Sequence, residues 1–275
     1  MLLSACSLKS VALRGTAELI RNGIGAFYEE SDVQLAEESM ASQIKLLEVL
    51  LKNDPSNPDL LLLCSQGFGA YAFLFVEEKD PGRARGFYER GRDFGLAYLK
   101  KRTGTNFLTE PDLSVLGKKL QTLEVKDVPI LFWTVYCWGG ASNLSRDDPD
   151  AVASLPKIEK MMVRVDEISP GYFYGGADIF LGSYYGSRPK IFGGNLEKSK
   201  FHFDRGLKFT GGKFLMGWVL YAQYYAVPAQ DREIFKELLS KVLSSDSNPL
   251  PEQRLSNAVA KIKAQKLMEK INELF

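Results

Sequence analysis

Residues 80–94 of this chain recur in altered form 115 positions later, and that duplication constrains the fold more than any single segment does. Asp80-Pro81-Gly82-Arg83-Ala84 lies opposite Asn195-Leu196-Glu197-Lys198-Ser199. At the same offset Tyr88-Glu89-Arg90-Gly91 matches Phe203-Asp204-Arg205-Gly206, and Phe94 matches Phe209. The preceding segments correspond as well, Gly67 onward with Gly175 onward, at an offset of 108. The second copy therefore carries seven extra residues in its turn, around Arg188-Pro189-Lys190-Ile191-Phe192-Gly193-Gly194. A repeated unit of this kind cannot bury its apolar faces alone, so its copies must stack on neighbours.

The unit is a pair of helices. Val33, Ala36, Met40, Ile44, Leu47 and Leu51 recur at the three-to-four spacing of one buried helix face. Lys52-Asn53-Asp54-Pro55-Ser56-Asn57-Pro58 then stops that helix and starts another, because neither proline fits a helix interior. Asp80-Pro81-Gly82, Asp148-Pro149-Asp150 and Ser169-Pro170-Gly171 repeat the punctuation, while alternating runs of strand type are nearly absent. The pattern predicts an all-α chain of about twelve helices. Residues 57–102 and 172–210 are expected to form matching hairpins of about one tetratricopeptide length, roughly 34 residues. Stacked in a compact solenoid, they make residues 7–275 a single domain. Gly67, Gly69, Gly91, Gly175, Gly176 and Gly206 fall where the two helices of a hairpin approach closely.

Composition narrows the function classes. Thirty-five Lys and Arg balance 34 Asp and Glu over 275 residues, which leaves no basic stripe for a run of phosphates and argues against nucleic acid as a partner. The apolar stretch from Val128 to Trp138 is too short to cross a bilayer, so an integral membrane protein is not expected. Three cysteines and one histidine are too few for a zinc site or a disulfide framework, and neither metal nor cofactor is expected. Cys64 and Cys137 lie in apolar helical patterns and read as small buried hydrophobes. No nucleophile elbow, phosphate loop or metal-binding helix motif is present, so no catalytic residue is assigned. His202, the single histidine, falls opposite Phe87 in the internal alignment, which favours a buried, hydrogen-bonded ring over a ligand contact.

Two features stand above this background. Leu3-Ser4-Ala5-Cys6 looks like the lipobox of bacterial lipoproteins, which makes residues 1–6 a residual lipoprotein signal and Cys6 the expected lipidation site. Met1-Leu2 supply neither a basic n-region nor an apolar h-region before it. An anchor there would hold a soluble body to a membrane by its tip. The second feature is aromatic crowding, in Trp133 and Tyr136, in Tyr172, Tyr174, Tyr184 and Tyr185, and in Trp218 and Tyr221. Large aromatics fill helical cores, but Tyr and Trp also line cavities that are apolar along the walls and wet at points. Gly139-Gly140, Gly193-Gly194 and Gly211-Gly212 are expected to be flexible loops beside this set. An aromatic tunnel is expected, with Arg188 near its mouth offering a planar cation to a carboxylate. His202 is included among its lining residues. Arg188 could instead bond helix-terminal carbonyls.

Several segments together resemble the T component of TRAP-type (tripartite ATP-independent periplasmic) transporter systems. They are Arg83 to Gly91, the Trp133 region, Leu155-Pro156-Lys157, Gly175 to Gly182, Arg188-Pro189, Gly193 to Ser199, Gln230-Asp231-Arg232-Glu233 and Pro251 to Leu255. Ala177-Asp178 and Asn195-Leu196 depart from the family's pattern. The resemblance implies a non-enzymatic periplasmic lipoprotein of tetratricopeptide-like hairpins, with a tunnel through the protomer and an ability to form a homotrimer. It also implies partnership with a periplasmic solute-binding protein that serves a TRAP permease, and hydrophobic organic acids as substrates. A scaffold lipoprotein of envelope assembly, binding protein partners on a concave face, is the alternative reading.

Overall fold

The computed structural model describes residues 2–246 and 248–275, with side chains from residue 11 onward. Cys6, the expected lipidation site, lies outside the residues whose side chains are described. The described chain is all-helical, with no strand and with twelve α-helices of seven residues or more, as the punctuation predicts. It divides into two compact units. The first comprises residues 1–27 and 34–157, the second residues 28–33 and 158–275.

The first unit holds α1 (Leu2–Gly23), most of α2 (Gly25–Tyr28) and of α3 (Val33–Asn53), α4 (Pro58–Tyr71), α5 (Pro81–Thr103), α6 (Leu113–Leu120) and α7 (Val128–Asn143). The start of α8 (Pro149–Ile168) belongs to it as well. Ala36, Met40, Ile44, Leu47 and Leu51 are buried along α3, the stripe read from the sequence. Asn57 starts α4 by accepting from the Asp59 and Leu60 amides, with Pro58 at the first position where its missing N–H costs nothing. Asp80 does the same for α5, accepting from the Arg83 amide at 3.0 Å, and Gly104 ends that helix in the left-handed conformation. The helical run Pro58–Val76 has 19 residues and a mean hydropathy of 1.5, more apolar length than the sequence reading allowed. Two-thirds of it is buried inside the protein, which makes it a core helix.

The hairpin α4–α5 closes tightly because glycines face the crossing. A Cβ on Gly91 would stand 3.0 Å from the Ser65 carbonyl oxygen and 2.6 Å from Cys137 Sγ. One on Gly69 would stand 2.7 Å from the same sulfur. Cys137 of α7 thus fills the notch, its thiol donating to the Ser65 carbonyl at 3.4 Å. Gly139 and Gly140, expected in a loop, lie inside α7. The ring of Tyr88 presses on Gly140, at 2.7 Å from where a Cβ would be. Close packing outweighs the low helix propensity of glycine there.

The second unit holds the rest of α8, then α9 (Tyr172–Gly186), α10 (Leu196–Lys208), α11 (Leu215–Tyr221), α12 (Arg232–Leu243), α13 (Arg254–Glu269) and α14 (Ile271–Leu274). Ile158, Met161, Met162 and Val165 of α8 are buried at helical spacing. Asn195 starts α10 and Asp231 starts α12, each accepting from the amide three residues on, so the second helix of every hairpin opens with the same kind of cap.

A third copy of the repeat emerges in α11–α12. Gly217, Tyr221 and Ala222 occupy the places of Gly67, Tyr71 and Ala72 at an offset of 150. Both helices then widen into a π-turn, where the Glu77 amide reaches the Ala72 carbonyl at 2.9 Å and the Val227 amide the Ala222 carbonyl at 3.2 Å. The sequence comparison missed this copy because only a few residues are shared.

Candidate functional site

The chemistry of the second unit gathers where α8, α9 and α10 meet. α9 starts with an unusual turn. After Gly171, Phe173 (φ 48°, ψ 56°), Tyr174 (φ 61°, ψ 35°) and Gly175 (φ 80°, ψ 22°) run consecutively in the left-handed region before the regular helix begins. Two aromatic residues there are held against their own backbone preference, at a cost on the order of 1–3 kcal/mol each. Ring packing holds them. Phe173 meets Tyr28 edge-on at 6.0 Å, and Tyr174 stacks on Phe214 at 5.6 Å. Burial pushes the Tyr174 phenol up, partly offset by a hydrogen bond with Gln253. Tyr172, just before this turn, lies beside Phe173, with ring centroids 6.4 Å apart.

One turn further, α9 carries Asp178, whose side chain is 1% exposed. A carboxylate so deeply buried needs partners, since an unpaired one costs several kcal/mol in desolvation. α10 supplies them from one face. His202 Nδ1 lies 2.7 Å from Asp178 Oδ1, and Arg205 Nε donates to Asp178 Oδ2 at 2.7 Å. Arg205 also donates to Asp166 of α8, so a single guanidinium ties three helices together. The hydrogen bond to Asp178 is the main reason its basicity rises above the ordinary arginine value. In the first unit Arg90, the repeat partner of Arg205, likewise reaches back to Glu48 on the helix before its hairpin.

The C-terminal end of α9 presents Tyr184 and Tyr185 side by side. Tyr185 donates to Glu159 Oε1 at 2.6 Å and Tyr184 to Glu159 Oε2 at 3.4 Å. Burial pushes the Tyr184 phenol up to about 12, with Arg188 pulling partly back. Tyr185 is also pushed up, by burial first and then by its bond to Glu159. The Arg188 guanidinium stacks 3.5 Å above the Tyr184 ring centroid, and Lys198 Nζ sits 4.8 Å above that of Tyr185. His202 stacks on the other ring, Tyr185, at 5.6 Å and 18°.

Tyr184, Tyr185, Arg188 and His202, four of the residues singled out from the sequence, therefore form one cluster. Tyr174 belongs to the left-handed turn and Tyr172 immediately precedes Phe173 there. Trp218 donates to the Gly212 carbonyl at 2.8 Å, and Tyr221 donates to Asp204 at 3.0 Å while stacking on Phe203, so these two are tied into the packing of α10 and α11. Trp133 and Tyr136 lie in the first unit. Trp133 is buried, and Tyr136 is half-buried among Phe132, Trp133, Phe73 and Tyr88. Beside them Tyr88 donates to Glu77 at 2.5 Å.

Sequence reasoning missed Glu159, Asp178 and Arg205 as members of the cluster. The signal was present for one of them. Asp178 is a lone acid inside the apolar run Gly175-Gly176-Ala177-Asp178-Ile179-Phe180-Leu181, and a carboxylate there has to be paired.

A model of the TRAP transporter T-component family matches residues 29–275, nearly the whole chain. The chain belongs to this family. An uncharacterized protein of Treponema pallidum (strain Nichols) is 24% identical over 265 residues, which cover 90% of this chain and 82% of that protein. Family membership makes the TRAP T-component described here an accessory of a TRAP transport system, associated with the cell envelope. The T-component family is a transport family and is not known for enzymes.

Proposed function

We propose that this T-component is a periplasmic lipoprotein, anchored through Cys6, that binds an apolar organic acid and passes it to or from a docked solute-binding protein. The observation that carries the ligand reading is the cluster at the end of α9. The Arg188 guanidinium carbon lies 3.5 Å from the ring centroid of Tyr184, which with Tyr185 commits its hydroxyl to Glu159. The two buried rings give the cluster an apolar wall, while the half-buried guanidinium over Tyr184 carries donors suited to a carboxylate. The aromatic nest around Trp133 and Tyr136 offers a further apolar surface within the first unit. The homotrimer is part of the same reading, as a state in which such a component works.

The test compares binding of a fluorescent fatty-acid probe by the wild type, Arg188→Ala and Trp133→Ala, after circular dichroism shows all three folded. Arg188→Ala is expected to weaken binding at least tenfold, the loss of one charge-assisted hydrogen bond worth about 1.5–3 kcal/mol. Undiminished affinity in both variants would remove the ligand site. Crosslinking in cells to the solute-binding protein of the same system tests the partner, and absence of any adduct would leave the scaffold role as the reading to pursue.

A further inference from the structure

The overall charge balance hides a strong local excess. The last turn of α5 carries Lys100, Lys101 and Arg102, and the last turn of α6 carries Lys118 and Lys119. These two helix ends meet. Arg102 donates to the Thr122 carbonyl at 3.2 Å, and the Thr122 amide is held by the Lys119 carbonyl at 3.1 Å. The next turn adds Lys126, so six cations of the first unit stand against three carboxylates, Asp112 near Lys118, Glu124 and Asp127. Glu124 is occupied by Lys126 at 2.6 Å. Asp127 is fully buried, accepting from Tyr98 at 2.6 Å and paired with Arg102 at 3.3 Å.

Lys100, Lys101, Lys118 and Lys119 make no ion pair among the described residues, and all but the half-buried Lys119 are exposed. A helix macrodipole accounts for cations at one helix end. It does not account for two such ends joined through Arg102 and the Thr122 carbonyl, since each then adds to the repulsion at the other. Val125, between Glu124 and Lys126, is an apolar side chain 68% exposed at the tip of this turn. Asp127 pins the turn from beneath through Tyr98 and Arg102, so the patch has a fixed shape.

We propose that this face of the first unit, formed by the ends of α5 and α6 and the turn 122–127, is a docking surface for an anionic lipid bilayer. The chemistry favours a membrane over an acidic protein. Five of the six cations are lysines, compact hydrated charges that respond to a diffuse surface potential without needing the paired geometry an arginine fork would impose. The exposed Val125 beside Lys126 suits the headgroup boundary, and a protein interface built around such a patch would deplete lysine at its core. The surface is independent of the ligand site proposed above.

Co-sedimentation of the full, unacylated chain with phosphatidylcholine vesicles, with and without phosphatidylglycerol, tests this. The chain is expected to bind only the vesicles containing phosphatidylglycerol and to be released by salt. A Lys100→Gln/Lys101→Gln/Lys118→Gln variant should bind roughly 100-fold more weakly, about fivefold per lysine near an anionic surface. The control, Lys200→Gln/Lys236→Gln/Lys241→Gln, changes the net charge equally but on α10 and α12, and should bind like the wild type. Loss of binding in the control to the same extent would show a net-charge effect and overturn the assignment. Equal binding to neutral vesicles would also overturn it, and so would no binding at low salt, which leaves the patch to an acidic protein face.

Discussion

Replacing Gly175 by alanine isolates the contact on which the second-unit hairpin depends. Gly175 has φ +80°, where an L side chain strains the backbone by about 1–2 kcal/mol. The added Cβ would also stand 3.0 Å from the Gly206 carbonyl carbon and 3.1 Å from its Cα, closest of all to the carbonyl oxygen. These are backbone atoms of α10 and cannot rotate aside, so the two helices must part, at a further cost of about 1–3 kcal/mol. The expected loss is about 2–5 kcal/mol, a large share of the roughly 5–15 kcal/mol that holds a folded protein together. Two companions separate the causes. Gly211 has φ +58° with no atom within 4 Å of a Cβ, so Gly211→Ala should cost only the backbone part. Gly86 lies inside α5 with open space around it, so Gly86→Ala should be neutral or stabilise by up to about 1 kcal/mol. Urea unfolding followed by circular dichroism measures all three. If Gly175→Ala costs no more than Gly211→Ala, the close approach of α9 and α10 is not what requires a glycine.

Asp178→Ala should destabilise by about 2–4 kcal/mol, because it strips His202 and Arg205 of a buried partner, with the exposure of Arg205 lowering the cost below that of a fully buried pair; a change in unfolding midpoint under half a kcal/mol equivalent, roughly the scatter of surface substitutions, would contradict the network. Tyr184 is pushed up to about 12, and Tyr88, Tyr98, Tyr185 and Tyr221 are also raised by burial, so the folded state keeps phenol protons that the unfolded chain releases near pH 10. Stability contributed this way is complete below about pH 10 and is lost as pH rises toward the folded values; tyrosinate absorbance should therefore appear together with unfolding, and ordinary titration of these phenols near pH 10 in a folded protein would refute it. Burial pushes the Cys64 thiol up to about 12 and the Cys137 thiol higher still, so neither should react with a maleimide at neutral pH until denaturant is added, as mass spectrometry of the labelled peptides can show.

The all-α class, the α3 stripe and the punctuation of the helices could be read from the chain because each is a local matter. Proline geometry, capping side chains and the 3.6-residue period act over a few neighbours, and they are written in order along the sequence. The two matching hairpins were legible for the same reason, through Arg90-Gly91 and Arg205-Gly206. The third, at Gly217 and Tyr221, was not, because a repeat is recognised by shared residues and this copy keeps its backbone course with few of them. Gly139-Gly140 misled for a related reason: Gly140 is required by the Tyr88 ring pressing on it from another helix, and the pair continues α7 instead of looping. Within the site, the aromatic and basic members Tyr184, Tyr185, Arg188 and His202 stood out by composition, and the acids that organise them did not. Glu159 and Asp166 look like ordinary helix residues until packing sets them against Tyr185 and Arg205, and Asp178 shows in the sequence only as an acid that needs some partner. Their roles depend on which helix faces which, and that is set by the sum of many apolar contacts distant in sequence. The same holds for the lysines of α5 and α6, which are unremarkable as helix ends and are brought near one another only through the bond of Arg102 to the Thr122 carbonyl.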